Sequence, residues 1–139
     1  MSRLNDFLTE TGIFFIATND GAQPKLRPFG AHVEVDGVVH FAVGDFKAVY
    51  RQMQANPLTE IVACKPDGVW LRYTGKIVFD TDKKYEDAMF ETSPVLREIY
   101  NEKTGYKMKT FHLEDAKAFI MPQIGQPEQI LYKQKSSIE

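Results

Sequence analysis

The sequence predicts a mainly β chain with flanking helices, rolled into a small barrel. Three observations lead there. Val33, Val35, Val38, Val39, Phe41 and Val43 give two runs of β-branched and aromatic residues on either side of Asp36-Gly37, a dipeptide favoured in two-residue hairpin turns because Gly tolerates positive φ. A longer run, Val69 to Phe79, alternates Val69, Leu71 and Tyr73 with Trp70, Arg72 and Thr74, and Gly75 interrupts it where a small barrel needs a bulge or a sharp bend. Helical spacing of apolar residues is confined to short stretches, each with a single apolar face.

Taken in order, Leu4, Phe7 and Leu8 share a helical face that closes at Gly12, a suitable C-terminal stop. Ile13 to Ala17 is an unbroken apolar run and reads as a strand buried on both faces. Asn19-Asp20-Gly21 and Pro24 mark a turn, with an exposed loop expected up to Lys25. The Val33–Val43 hairpin follows, antiparallel, and Gly44-Asp45 then precedes Phe46, Val49, Tyr50 and Met53, whose i, i+3, i+4, i+7 spacing makes a helix with Asp45 as its cap. Asn56-Pro57 ends that helix. Thr59 to Lys65 is the next strand, turning at Pro66-Asp67-Gly68 into the long strand to Phe79. Asp80 to Tyr100 is helical in two pieces, broken at Ser93-Pro94, and is expected to pack outside the barrel. Asn101 to Lys109 reads as a loop, Phe111–Leu113 and Ala116–Met121 as two closing strands, and Ile130–Tyr132 as a brief pairing, for six or seven strands in all. Residues 133–139 are expected to fray.

A chain of 139 residues fits one domain, 1–139, whose core alone is modest, so association with a second copy helps it hide apolar area. Seventeen basic and nineteen acidic residues leave a net charge of −2, which excludes a long-range pull toward nucleic acid or an anionic membrane surface. No stretch approaches the roughly twenty apolar residues of a spanning helix and no signal-peptide pattern opens the chain, so the cytoplasm is the expected compartment. Cys64 lies in the apolar run TEIVAC and is expected to be a buried, inert thiol.

Any anion site must therefore be local, and Lys25 to Met53 holds the best one. Helix starts present unpaired N–H groups and partial positive charge, and Lys47 adds a full charge at such a start. Arg27, on the preceding strand, offers a fork of donors matched to phosphate oxygens, so the pair reads as a mononucleotide phosphate clamp. Pro28 cannot donate to a sheet ladder; a bulge at Pro28-Phe29-Gly30 is expected, exposing backbone to a flat ligand.

The order of pieces resembles the FMN-binding split-barrel proteins of the pyridoxamine 5'-phosphate oxidase-like superfamily, specifically its small subfamily rather than the oxidase itself. The resemblance rests on the helix ending at Gly12, the strand IFFIAT, LRPFG, VDGVVHFAVG, KAVYRQMQANP, TEIVAC, PDGVWLRYTGKIVFD and MFETSPVLREIY, and covers nearly the whole chain. It implies a split β-barrel, six-stranded, antiparallel and of Greek-key type, in a homodimer with one FMN at each of two subunit interfaces. It further implies that Arg27 and Lys47 hold the phosphate, that Pro28, Phe29 and Gly30 line the isoalloxazine, that Phe41, Ala42, Val43 and Gly44 form the strand beneath it, and that Trp70 and Arg72 approach from the partner subunit.

His32, His40 and His112 are far apart in sequence and none has a two-histidine helical spacing, so no metal site is expected; His32 is expected on a solvent-facing strand. Flavin chemistry needs few catalytic side chains, and none is assigned. Two functions follow from the resemblance: an FMN-dependent oxidoreductase acting on a small organic substrate with a nicotinamide electron donor, or a non-catalytic barrel that holds flavin or haem for storage, sensing or handover.

Overall fold

The computed structural model describes residues 2–134. Within them, eight strands and three α-helices follow one another as α1 (Arg3–Thr11), β1 (Phe14–Asp20), β2 (Gln23–Phe29), β3 (His32–Val35), β4 (Val38–Gly44), α2 (Ala48–Ala55), β5 (Leu58–Cys64), β6 (Trp70–Phe79), α3 (Lys84–Thr92), a 3-10 turn (Pro94–Glu98), β7 (Met108–Met121) and β8 (Glu128–Ile130). All pairings are antiparallel in the order β2-β1-β5-β6-β7-β4-β3, with β8 beside β7 on the edge that β4 shares, farther along the strand. The sheet does not close. It rolls instead, so that Phe14 of β1 meets Phe41 of β4 at 5.5 Å between ring centres although three strands separate them in the sheet. The roll buries one apolar core, with Phe14, Ile16, Phe41, Ile61, Leu71, Phe111 and Leu113 at its centre and Leu4 and Leu8 of α1 sealing one end. A split barrel is what results.

Several expected elements stand as read. Ser2 caps α1 by accepting from the Asn5 N–H, and Gly12 ends it at φ 74°. The hairpin turns at Asp36 (φ 52°) and Gly37 (φ 81°), both left-handed as a type I′ turn demands.

Others are corrected. β1 is buried on one face only: Phe14 and Ile16 point inward while Phe15 is 42% exposed, because the core covers only one side of the strand among the described residues. The expected loop to Lys25 is strand β2, paired with β1 from Asp20–Gln23 through Phe14–Phe29 without a register shift. Pro28 therefore sits in a regular strand rather than a bulge, which is tolerated because β2 is an edge. Helix α2 begins at Ala48 with Lys47 as its cap residue, not at Asp45. Asp45 instead donates its backbone N–H to the Lys107 carbonyl at 2.9 Å, and its carboxylate accepts from the Lys107 N–H at 3.1 Å. Phe46, freed from the helix, stacks on Tyr106 at 3.9 Å rather than joining the core. Cys64 is exposed, on the outer face of β5, since the inward positions of that strand are Ile61 and Ala63. Gln134 holds both backbone groups of Ala116, so fraying does not begin at 133; residues 135–139 lie outside the described residues.

The two closing strands are one. β7 runs for 14 residues, and the gap read between Leu113 and Ala116 is a bulge at Asp115 (φ 50°). Thr74 pairs with Lys117 and Lys76 with Glu114, so three steps on β7 oppose two on β6, and the inward positions pass from Leu113 to Ala116. Gly75 faces this bulge. A Cβ there would lie 2.6 Å from the Ala116 Cβ and 3.2 Å from backbone atoms that cannot swing away. Gly75→Ala is accordingly expected to lower stability by about 1–3 kcal/mol, read as a lower urea midpoint at unchanged slope; an unchanged midpoint would mean that the bulge absorbs the methyl.

Candidate functional site

The two lips of the split face each other across a groove. One lip is the end of β2 with Arg27, Pro28, Phe29, Gly30 and Ala31; the other is the end of β4 and the start of α2, with Ala42, Val43, Lys47 and Val49. Leu96, Ile99 and Tyr100, from the 3-10 turn and the segment after it, form a third wall. Together they enclose about 470 Å³, within the range of small-molecule and cofactor sites, and the lining is apolar except at the cationic end and the Tyr100 hydroxyl.

Strand parity explains why Arg27 is there. It pairs with Ile16 in the β1–β2 ladder and so shares the inward side of the sheet with Ile16 and Thr18. Its Nη1 donates to the Thr18 hydroxyl at 2.7 Å and its Nη2 to the Gln52 side-chain oxygen at 2.7 Å, while Thr18 donates to that same Gln52 oxygen at 2.7 Å. A strand and a helix thus lock the guanidinium in one pose. Partial burial lowers the Arg27 pKa from its ordinary value. With five N–H donors on the group, its Nε and the second hydrogen of Nη2 keep no acceptor among the described residues.

Lys47 occupies the cap position of α2 in extended backbone (φ −89°, ψ 147°), and no side chain caps the helix. The first-turn amides at Ala48 and Val49 are therefore left without an intrahelical partner at the groove's cationic end. Near the opposite wall, burial and then the charge of Asp45 raise the Tyr100 pKa, so its hydroxyl stays neutral and able to donate.

Arg27, Pro28, Phe29, Gly30, Ala42, Val43 and Lys47 are thus gathered at one groove. Four candidates are not. Phe41 lies on the intended strand but points into the core and is fully buried between Phe14 and Phe111. Gly44 is covered: a Cβ there would meet the Phe46 ring at 2.6 Å and the Tyr100 hydroxyl at 2.9 Å. Trp70 and Arg72 stand on the outer face of β6, away from this chain's groove, where Arg72 pairs with Glu60 at 2.7 Å and lies 5.0 Å over the Trp70 ring. Sequence reasoning missed Thr18, Gln52, Leu96, Ile99 and Tyr100. Thr18 could have been found from its parity with Ile16; the third wall had no local signal.

The histidines also differ from expectation. His32 is partly buried, its Nδ1 2.8 Å from the Asn5 side-chain oxygen and its ring edge-on to Phe14, and burial lowers its pKa. His40 and His112, 72 positions apart, meet at 5.3 Å between ring centres with Asp80 between them.

No protein-family profile matches the chain, and no curated protein sequence matches it. Solved structures do. A NimC/NimA family protein from Clostridium acetobutylicum is 31% identical, with 92% of this chain and 89% of that chain aligned at a TM-score of 0.83. Two more distant structures share the fold alone: an FMN-binding, pyridoxamine 5'-phosphate oxidase-related protein from Nostoc punctiforme (13% identity, 84% and 82% of the two chains, TM-score 0.62), and the haem storage protein HutZ from Vibrio cholerae (12%, 84% and 91%, TM-score 0.65). With nearly a third of positions identical over nine-tenths of both molecules, and with the split-barrel fold that the pyridoxamine 5'-phosphate oxidase-related structures share, the chain belongs to the NimC/NimA family.

Proposed function

We propose that the protein is a homodimeric FMN-dependent oxidoreductase of the cytoplasm that acts on a small organic molecule, with a nicotinamide as electron donor. The observation that carries this reading is the groove itself: two cations and a helix start that no side chain of its cap residue bonds, in one groove whose remaining lining is mostly apolar. The residues fit the cofactor. Arg27, held by Thr18 and Gln52, turns its remaining donors to a phosphate, Lys47 supplies a mobile second charge, and the amides of Ala48 and Val49 complete the anion shell. Pro28, Phe29, Gly30, Ala42 and Val43 form walls for the ring system, and Leu96, Ile99 and Tyr100 keep water from one side. When bound, the isoalloxazine supplies the hydride chemistry, and the protein's task is orientation and electrostatics. A haem carrier is the weaker reading, because the walls from this chain hold no His, Cys or Met to ligate iron, and burial and the charge of Asp45 hold the Tyr100 phenol away from the phenolate that iron would need.

Trp70 and Arg72 enter the site only from a second copy. The outer sheet face that carries them also exposes Phe15, Leu26 and Leu58, at 42%, 68% and 61%, a patch suited to self-association. Phe15→Asp is expected to convert a dimer to a monomer on size exclusion and to weaken FMN together with it. A variant that remains dimeric would place the interface elsewhere.

The deciding experiment is a visible spectrum of FMN-reconstituted protein under reduced nicotinamide. Yellow protein that bleaches anaerobically and recolours in air or on adding substrate supports the oxidoreductase; yellow protein that stays oxidised supports a carrier; a colourless monomer that takes up no FMN overturns both.

A further inference from the structure

On the far side of β4 and β7 from the core, beneath α3, lies a cluster of ionisable groups that the flavin groove does not use. The β4–β7 register pairs Ala42 with Thr110 and Phe41 with Phe111, so the next step sets His40 opposite His112 on the outer face. Asp80, the first residue after β6, reaches between them: its two oxygens lie 2.8 Å from the His40 Nδ1 and 2.7 Å from the His112 Nδ1, and the Thr110 hydroxyl donates to it as well. The Nε2 of His112 lies 2.8 Å from a Glu114 oxygen. Tyr85 of α3 stacks on His40 at 4.1 Å and closes the site from above. The side chains of His40 and Asp80 have no solvent exposure and that of His112 has 4%.

We propose that His40, Asp80 and His112 are the ligands of one divalent transition-metal ion, with Zn²⁺ as the ion their chemistry favours. Two independent features support it. The ligand atoms of the three residues lie within 4.8 Å of one another, two from within β4 and β7 and one from just past β6, in an enclosed place where a charged side chain is costly without compensation. Glu114, in addition, holds the Nε2 of His112, the carboxylate–histidine arrangement that fixes a metal-binding ring and leaves Nδ1 to the ion.

Charge points the same way. With both imidazoles neutral, Asp80 and Glu114 bring two negative charges under α3, and one divalent cation cancels them. Loading keeps both imidazoles neutral: the proton that each Nδ1 holds toward Asp80 gives way to one on Nε2, toward Glu114 in His112, so that both Nδ1 lone pairs and an Asp80 oxygen turn to the ion. Two imidazole nitrogens with one carboxylate suit Zn²⁺ or Co²⁺, whereas Mg²⁺ and Ca²⁺ take oxygen-only shells. The ion's role is structural: it pins the start of the 80–100 segment, whose far end supplies the Leu96, Ile99 and Tyr100 wall of the groove.

The test uses tag-free, flavin-free protein stripped by a chelator and titrated with CoCl₂, ZnCl₂ or MgCl₂. Expected results are a visible Co²⁺ band saturating at about one ion per chain and displaced by Zn²⁺, and a melting temperature raised by Zn²⁺ but not by Mg²⁺. Glu114→Gln is expected to weaken the ion roughly 10- to 100-fold, and His32→Gln, which changes the one histidine outside the cluster, to leave binding as it was. Absence of a saturable band in the folded wild-type protein overturns the proposal whether or not any variant folds. So does a band lost on His32→Gln. Because FMN is left out, either failure leaves the flavin reading untouched.

Discussion

Replacing Arg27 and Lys47 together by alanine is expected to weaken FMN by roughly 10²- to 10⁴-fold while riboflavin binding changes little. Each cation removes a charge-assisted contact worth about 1.5–3 kcal/mol, and only FMN carries the phosphate they serve. The variant should still fold. Lys47 is exposed, and the partners Arg27 abandons remain bonded to each other, since the Thr18 hydroxyl donates to the Gln52 oxygen at 2.7 Å without it. Paired titrations of the two flavins, followed by quenching of flavin fluorescence, give the answer. Equal loss of both ligands would mean that the pair shapes the groove without touching a phosphate.

How much of this was legible follows from which interactions are local. The Asp36-Gly37 hairpin, the stop at Gly12 and the break at Ser93-Pro94 are encoded by neighbouring residues, and each stands where it was read. Arg27 and Lys47 could be paired because a helix start marks an anion site and Arg27 stands on the preceding strand, within reach of it. Failures came where tertiary contacts decide. Pro28 looked like a bulge because the sequence does not say that β2 is an edge, and Asp45 looked like a cap because its true partner, the chain at Lys107, lies 62 positions away. The bulge at Asp115 split one strand into two for the same reason: it exists to fit Gly75 on β6. Cys64 misled because an apolar run on a one-sided strand gives no parity signal. The most consequential miss was the pairing of His40 with His112, since register between strands that are distant in sequence leaves no trace in spacing.

That pairing sets the other large expectation. Asp80→Ala should lower stability by about 3–5 kcal/mol, since it removes the enclosed carboxylate that both Nδ1 atoms and the Thr110 hydroxyl bond. Against a total of about 5–15 kcal/mol for an ordinary domain, this is a large share, and the melting temperature should fall by about 10–20 °C in chelator-treated buffer. The effect should spread. Asp80 is where the chain leaves β6 for α3, its N–H donates to the Thr110 carbonyl at 2.9 Å, and the segment it anchors runs on to Tyr100 at the groove. Loosening it should therefore weaken FMN and riboflavin alike, by similar factors, in contrast to the phosphate-selective loss from Arg27 and Lys47. Differential scanning fluorimetry with the same two flavin titrations separates the cases. A melting temperature within about 2 °C of wild type would show that the His40–Asp80–His112 cluster is not what holds α3 to the sheet, and an unchanged riboflavin affinity would show that the third wall stands without it.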